Sequence, residues 1–84
     1  MLIPAGIWSR VIHMNLMSAQ EGKEYIILRI ETDDEDLNAF LFSLGCYSGE
    51  PITIIKRRRR SCIVSIKEGR YNIDDQLARA IVVS

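Results

Sequence analysis

The spacing of hydrophobic residues changes abruptly after Ile30. Residues 23–30 (KEYIILRI) are a short run of β-branched and aromatic side chains after Gln20, Glu21 and Gly22, which is typical of a strand. In the next segment, TDDEDLNAFLFSLG, apolar residues recur at intervals of three and four, which predicts a helix with one face toward the core. The residues of that face are Leu37, Phe40, Leu41 and Leu44.

Both ends of this helix carry local signals. Thr32 and Glu35 have the spacing of a capping box, in which each side chain accepts a backbone N–H that the first turn leaves free. Gly45 lacks a Cβ, so it can adopt the left-handed conformation that closes a helix. The sequence therefore predicts a helix that begins near Thr32 and ends at Gly45.

The apolar runs PITII and CIVSI, on either side of KRRRRS, predict two strands of a hairpin. A turn centred on Arg58 and Arg59 would place Ile55 opposite Cys62. Arginines do not suit a tight two-residue turn, so a loop of about four residues is expected. The residues predicted to share the inner side of the hairpin are Ile55, Cys62, Val64 and Ile66.

The C-terminal part predicts a last short strand, a short helix and a closing strand. Gly69 is expected in a turn or bulge before RYNI, and Asp74 can cap a helix in DDQLARAI. The residues predicted to share a face of that helix are Leu77, Ala78 and Ile81. Short strands with one inserted helix predict a mainly β fold with one or two short helices. We expect a small, partly closed β-barrel with the Leu37 helix over one end.

The chain length of 84 residues suits one small domain. Residues 1–13 form a leader without a clear period, predicted to be peripheral, and residues 14–84 form the domain; Met14 or Met17 could equally start it. Pro4 and Gly6 interrupt the apolar part of the leader, which fits neither a signal peptide nor a membrane span. The protein is therefore predicted to be soluble. Cys46 and Cys62 lack C-x-x-C spacing and are expected to be reduced core residues in a cytoplasmic protein, although one intramolecular disulfide stays open from the sequence.

Opposite charges are segregated along the chain. The 11 basic and 11 acidic residues cancel, yet each sign has a cluster. The acidic cluster consists of Glu31, Asp33, Asp34, Glu35 and Asp36. The basic run consists of Lys56, Arg57, Arg58, Arg59 and Arg60. This bipolar arrangement predicts a solvated hairpin tip that binds an acidic protein surface or anionic lipid, and it also allows self-association with the acidic helix end of another copy.

The candidate chemistry is limited. The only histidine, His13, lies in the leader, and no glycine-rich phosphate loop or catalytic carboxylate pair is present, so no enzymatic activity is predicted. The acidic cluster is a weak candidate for a divalent cation such as Fe(II), because the same carboxylates suit a helix N-terminus. Nucleic-acid binding by the basic run lacks a stacking group, since KRRRRSC contains no aromatic residue.

The order of these features resembles the FeoA family, small SH3-like barrel proteins of bacterial ferrous-iron uptake. The resemblance covers about Met14 to Val83 and is most specific around FLFSLGCYSGE and the strand that follows. The positions that carry it are Leu41, Leu44, Gly45, Cys46, Gly49, Ile52 and Ile54. Two features depart from the family pattern: Cys46 replaces a bulky aliphatic residue, and KRRRRS fills a loop that the family varies freely.

The resemblance implies an accessory or regulatory role through contact with FeoB, the membrane transporter that has a cytoplasmic GTP-binding domain. It implies no catalytic residue. The basic run is the partner-binding site expected for this role. Two other functions stay open from the sequence: a sensor or carrier of Fe(II) or another divalent transition metal, and nucleic-acid binding through the basic hairpin.

Overall fold

The computed structural model describes residues 14–84. Within them lie six strands and two α-helices; the two helices and five of the strands follow the order predicted from the sequence, and the first strand was not predicted. The strands are β1 (Met14–Asn15), β2 (Glu24–Ile30), β3 (Pro51–Arg57), β4 (Ser61–Ile66), β5 (Gly69–Asp74) and β6 (Ile81–Val83). The helices are α1 (Glu35–Ser43) and α2 (Asp75–Ala80), and a 3-10 helix spans Leu16–Ser18. The predicted leader lies outside the described residues.

The six strands form one antiparallel sheet in the order β1-β6-β2-β3-β4-β5. Helix α2 contacts the 3-10 helix, β1 and β6 near one end of this order, and β4 and β5 at the other end. The sheet therefore curves around α2 and encloses one hydrophobic core. The largest fully buried side chains include Leu16, Ile27, Leu41, Ile52, Ile54, Ile66, Ile73 and Ile81. No α-helix of residues 14–84 is long and apolar enough to cross a membrane.

Helix α1 begins later than the capping-box pattern predicted. Its N-cap is Asp34, whose carboxylate accepts the N–H groups of Asp36 and Leu37 at 3.0 and 3.1 Å. Thr32 lies two residues earlier, where its hydroxyl oxygen accepts the N–H of Asp34 at 3.1 Å. The predicted Thr32 cap is therefore wrong, and a carboxylate two residues later takes its place.

The buried face of α1 is narrower than its apolar stripe. Leu41 is buried, and Leu37 and Leu44 are half-buried against the core. Phe40 remains 49% exposed, so its assignment to the core is wrong. The helix rests on the core along one line of leucines, and Phe40 lies at the edge of that line. At the other end, Gly45 has φ +97°, as predicted for the residue that closes the helix.

The β3–β4 hairpin forms as predicted but with a different register. Ile54 pairs with Val64 and Lys56 pairs with Ile63, so Ile55 is an extra residue in β3. This β-bulge moves Ile55 out of the core, where it is 40% exposed, and the prediction that it packs beside Cys62 is wrong. The residues of the hairpin that are buried are Ile52, Ile54, Cys62, Val64 and Ile66.

The C-terminal elements match their prediction. Asp74 caps α2 by accepting the N–H of Leu77 at 2.9 Å. Ala78 and Ile81 are buried and Leu77 is half-buried against the core. Strand β6 then inserts between β1 and β2, which places the end of the chain inside the sheet rather than at its edge.

Candidate functional site

Three consecutive arginines form the connection between β3 and β4. The N–H of Arg58 donates to the carbonyl oxygen of Ser61 at 2.8 Å and closes a tight turn over Arg58–Arg60. The side chains of Arg58, Arg59 and Arg60 are exposed, as is Lys56 in the strand before them. The turn is shorter than the loop of about four residues that the sequence suggested.

The fifth cation of the basic run points inward. The guanidinium of Arg57 donates from Nη2 to the carbonyl oxygens of Leu16 and Ala19, both at 2.8 Å. The backbone N–H of Arg57 donates to the carboxylate of Glu21 at 2.6 Å. Arg57 pairs across the hairpin with Cys62, which is buried, so its side chain leaves on the core side of the sheet. Arg57 therefore joins the hairpin to the segment around the 3-10 helix instead of facing solvent.

The four exposed cations have no acidic partner among residues 14–84. The ion pairs in this part of the chain are Arg29 with Glu31 and Lys67 with Glu50. The bulge places the exposed side chain of Ile55 beside Lys56, and half-buried Ile63 lies opposite Lys56 in β4. We call Ile55, Lys56, Arg58, Arg59 and Arg60 the tip patch.

The acidic cluster follows the end of β2, whereas the tip patch lies beyond its start. Its five residues are exposed, and Asp34 is occupied by capping α1. Strand β2 pairs with β3 through Glu24 opposite Thr53 and Ile26 opposite Pro51. Because the sheet curves, helix α2 connects the two regions. The N–H of Asp75 at its start donates to the carbonyl oxygen of Arg60, and the N–H of Glu31 donates to the carbonyl oxygen of Ala80 at its end.

The structure does not assemble the acidic cluster into a metal site. Glu31 pairs with Arg29, whose Nη2 lies 2.6 Å from the carboxylate, and Asp34 accepts backbone N–H groups. Among residues 14–84 no three side chains of His, Cys, Asp or Glu converge in a way that could hold a metal ion. Glu31, Asp33, Asp34, Glu35 and Asp36 therefore stay a prediction as metal ligands, and in this structure they are exposed surface residues, of which Asp34 caps α1.

Both cysteines are free thiols in the core. Burial raises the pKa of Cys46 to about 11. Burial also raises the pKa of Cys62, although the nearby charge of Arg57 opposes that rise. Thiolates are the reactive and metal-binding form of cysteine, so both residues are inert packing groups at neutral pH.

A groove that the sequence reasoning missed lies at the C-terminal end of α1. It has a volume of about 510 Å³, and its lining includes Phe42, Tyr47, Lys67 and Tyr71. The rings of Phe42 and Tyr47 lie 5.0 Å apart, and Phe42 is 63% exposed. We call this the aromatic groove. The sequence did contain a signal for this groove. Phe42 is not on the apolar face of the predicted helix, so its ring was expected to face away from the core.

Two glycines leave room for the walls of the aromatic groove. A Cβ on Gly69 would lie 2.2 Å from the hydroxyl oxygen of Tyr71, and a Cβ on Gly45 would lie 3.2 Å from the side chain of Lys67. Lys67 itself has φ +54°, an unusual conformation for a residue with a side chain. Its ammonium lies 5.1 Å from the centre of the Tyr47 ring and 3.3 Å from the carboxylate of Glu50, and contacts with both raise the pKa of Lys67.

The FeoA domain family matches residues 14–84. The chain belongs to the FeoA family. The match spans the whole described domain, from β1 through β6. It supports a role as an accessory of ferrous-iron transport, and this family of small accessory and regulatory domains is not a known family of enzymes.

Solved FeoA structures have the same fold. A crystal structure of an iron uptake regulatory protein, FeoA, superposes with a TM-score of 0.76 at 22% identity over 84% of this chain and 95% of that chain. FeoA of Stenotrophomonas maltophilia complexed with zinc, described as an SH3 domain protein, has a TM-score of 0.77 at 16% identity over 84% of this chain and 89% of that chain. The likeness confirms the predicted SH3-like, mainly β fold class.

The same fold occurs within a larger regulator. A manganese-dependent transcriptional repressor superposes with a TM-score of 0.78 at 20% identity, over 84% of this chain but only 40% of that chain. The FeoA domain thus corresponds to a minor part of the repressor. No curated protein sequence matches the chain at a significant level.

Proposed function

We propose that this FeoA protein is a cytoplasmic accessory of ferrous-iron uptake that acts by direct contact with a FeoB-like membrane transporter. The observation that carries the proposal is the match of the whole described domain to the FeoA family. Contact is the proposed mode of action because the domain presents an exposed aromatic ring, Phe42, at the groove and exposed cations at the tip patch.

The aromatic groove is the surface that we assign to the cytoplasmic GTP-binding domain of the transporter. Phe42 leaves more than half of its surface in water, and burial of such a ring is the kind of contact that dominates protein interfaces. Lys67 is the charged residue among the groove-lining residues, and its ammonium can orient a carboxylate of the partner. The exposed cations of the basic run, Lys56, Arg58, Arg59 and Arg60, do not line this groove and are not assigned to the GTP-binding domain.

Capture by the purified GTP-binding domain of the transporter tests this proposal. Phe42→Ser should weaken capture by about tenfold or more, because truncation of a buried aromatic anchor costs at least about 1.4 kcal/mol. Phe40→Ser is the matched control, since Phe40 is exposed on the same helix but does not line the groove. If the natural sequence is not captured, the contact with the transporter is wrong; equal losses in both variants would remove the groove from that contact.

A further inference from the structure

The tip patch combines free positive charge with an exposed apolar side chain. Lys56, Arg58, Arg59 and Arg60 are exposed and lack acidic partners among residues 14–84. The extra residue in β3 places Ile55, 40% exposed, directly before Lys56. Basic residues mixed with exposed aliphatic side chains are the composition by which protein surfaces adhere to anionic bilayers.

Carboxylates at the base of the tip do not neutralise it. Glu21 accepts the backbone N–H of Arg57, and Asp74 accepts the N–H of Leu77. Asp75 follows Asp74 and donates its own backbone N–H to the carbonyl oxygen of Arg60. The four exposed cations and Arg57 carry more charge than these three carboxylates, so the end of the hairpin keeps a positive charge.

The composition of the tip patch distinguishes between the polyanions that it could meet. Attraction to a negatively charged leaflet requires only the exposed cations. A nucleic acid would meet the same charge, but the tip patch contains no aromatic residue for base stacking.

The arginine side chains of the tip are not held in place by the described part of the domain. Arg57 shows how this chain fixes a guanidinium that has a defined partner, with two carbonyl acceptors at 2.8 Å. Arg58, Arg59 and Arg60 make no side-chain hydrogen bond among residues 14–84. Lipid headgroups rearrange around cations, so they require no fixed side-chain geometry.

We propose that the tip patch is a docking surface for anionic lipid headgroups, which holds the domain against the membrane beside the transporter. This inference rests on the proposed function, because a partner of a membrane transporter works next to the leaflet. Ile55 enters the interface between headgroups and acyl chains, while the four cations remain at the level of the phosphates.

Co-sedimentation with vesicles tests the inference without any transporter. The natural sequence should bind vesicles of phosphatidylcholine with about one third phosphatidylglycerol, and not vesicles of phosphatidylcholine alone. Binding should be lost as sodium chloride rises to about 0.5 M. Arg58→Ser, Arg59→Ser and Arg60→Ser together should weaken binding about a hundredfold, since each cation contributes about fivefold.

Two further variants separate this mechanism from a general effect of charge. Lys23→Ser, Arg70→Ser and Arg79→Ser together remove the same charge from exposed positions outside the tip patch and should weaken binding much less than the tip variant. Ile55→Ser should weaken binding about fivefold at unchanged net charge. Far-UV circular dichroism verifies that each variant remains folded.

The outcomes are distinct. Absence of binding to the anionic vesicles, or equal losses in the tip and control variants, overturns the lipid inference. If the tip variant instead loses capture by the GTP-binding domain while the natural sequence ignores vesicles, the tip binds an acidic protein surface and the lipid inference is wrong, although the proposed function stands. If vesicles bind but that domain does not capture the protein, the proposed contact with the transporter fails on its own.

Discussion

The role of Arg57 is not apparent from its position in the sequence. It stands in a run of five cations, yet its guanidinium contacts two backbone carbonyl oxygens near the 3-10 helix. We expect Arg57→Ser to lower the free energy of unfolding by about 2–3 kcal/mol, because hydrogen bonds from a charged donor are lost and their acceptors stay partly buried. Urea unfolding followed by circular dichroism measures the change.

The neighbouring arginine provides the control for that prediction. Arg58→Ser removes the same side chain from an exposed site and should change the free energy of unfolding by less than about 0.5 kcal/mol. If both substitutions have equal small effects, the two hydrogen bonds of Arg57 contribute nothing to stability. A replacement of the whole basic run by serine is thus expected to destabilise the fold through this one position.

Cys46 makes the free energy of unfolding depend on pH in the alkaline range. Its folded pKa is raised to about 11 from an ordinary value of 9.0, so the folded state holds a proton that the unfolded chain releases. The stabilisation is complete below pH 9.0 and is lost as the pH rises toward 11, because the unfolded state then binds fewer protons. Unfolding midpoints measured across this range should fall with pH more steeply for the natural sequence than for Cys46→Val. Equal slopes would show that the thiol does not contribute.

At the scale of elements, the start of α1 depends on Asp34. Asp34→Ala should cost about 1 kcal/mol of unfolding free energy, the usual effect of removing an N-cap, since its carboxylate accepts the N–H groups of Asp36 and Leu37. Asp33→Ala, one residue earlier in the same acidic cluster, should cost less than about 0.5 kcal/mol. Thermal unfolding compares the two; a larger loss in Asp33→Ala would contradict the assigned cap.

The elements themselves were largely predictable from local sequence, and their contacts were not. Strand β2, helix α1 and the cap at Asp74 follow from spacing and from side chains that satisfy nearby backbone groups. The bulge at Ile55 adds one residue to β3 alone, and nothing within the hairpin sequence requires it there. A turn centred on the arginines gives a continuous register, so the sequence interpretation placed Ile55 inside.

The candidate site was likewise predictable only where local sequence determines it. The exposed cations of the tip were predictable because charged residues between two strands favour solvent. The side chain of Arg57 points inward because it contacts the carbonyl groups of Ala19 and Leu16, which lie 38 and 41 positions earlier in the sequence. No local pattern reveals such a contact. The aromatic groove likewise joins the end of α1 to the turn between β4 and β5, so Lys67 and Tyr71 could be grouped with Phe42 only after the chain had folded.

For the molecule as a whole, the separation of charge predicts weak head-to-tail association at low ionic strength. The acidic cluster of one copy and the tip patch of another have opposite signs, so the contact does not require either surface to pair with itself. Sedimentation velocity should show larger species at about 0.02 M salt that disappear at about 0.3 M salt. The triple serine variant of Arg58, Arg59 and Arg60 should stay monomeric throughout; association that persists in that variant would contradict this arrangement.

The bulge at Ile55 gives β3 one residue more than regular pairing with β4 requires. Ile54 pairs with Val64 and Lys56 pairs with Ile63, so removal of Ile55 would leave a continuous ladder in which Lys56 and Arg57 keep their faces. Relatives with one residue fewer before this turn are therefore expected to keep an inward side chain at the position of Arg57 and to lack the exposed aliphatic side chain beside their basic loop.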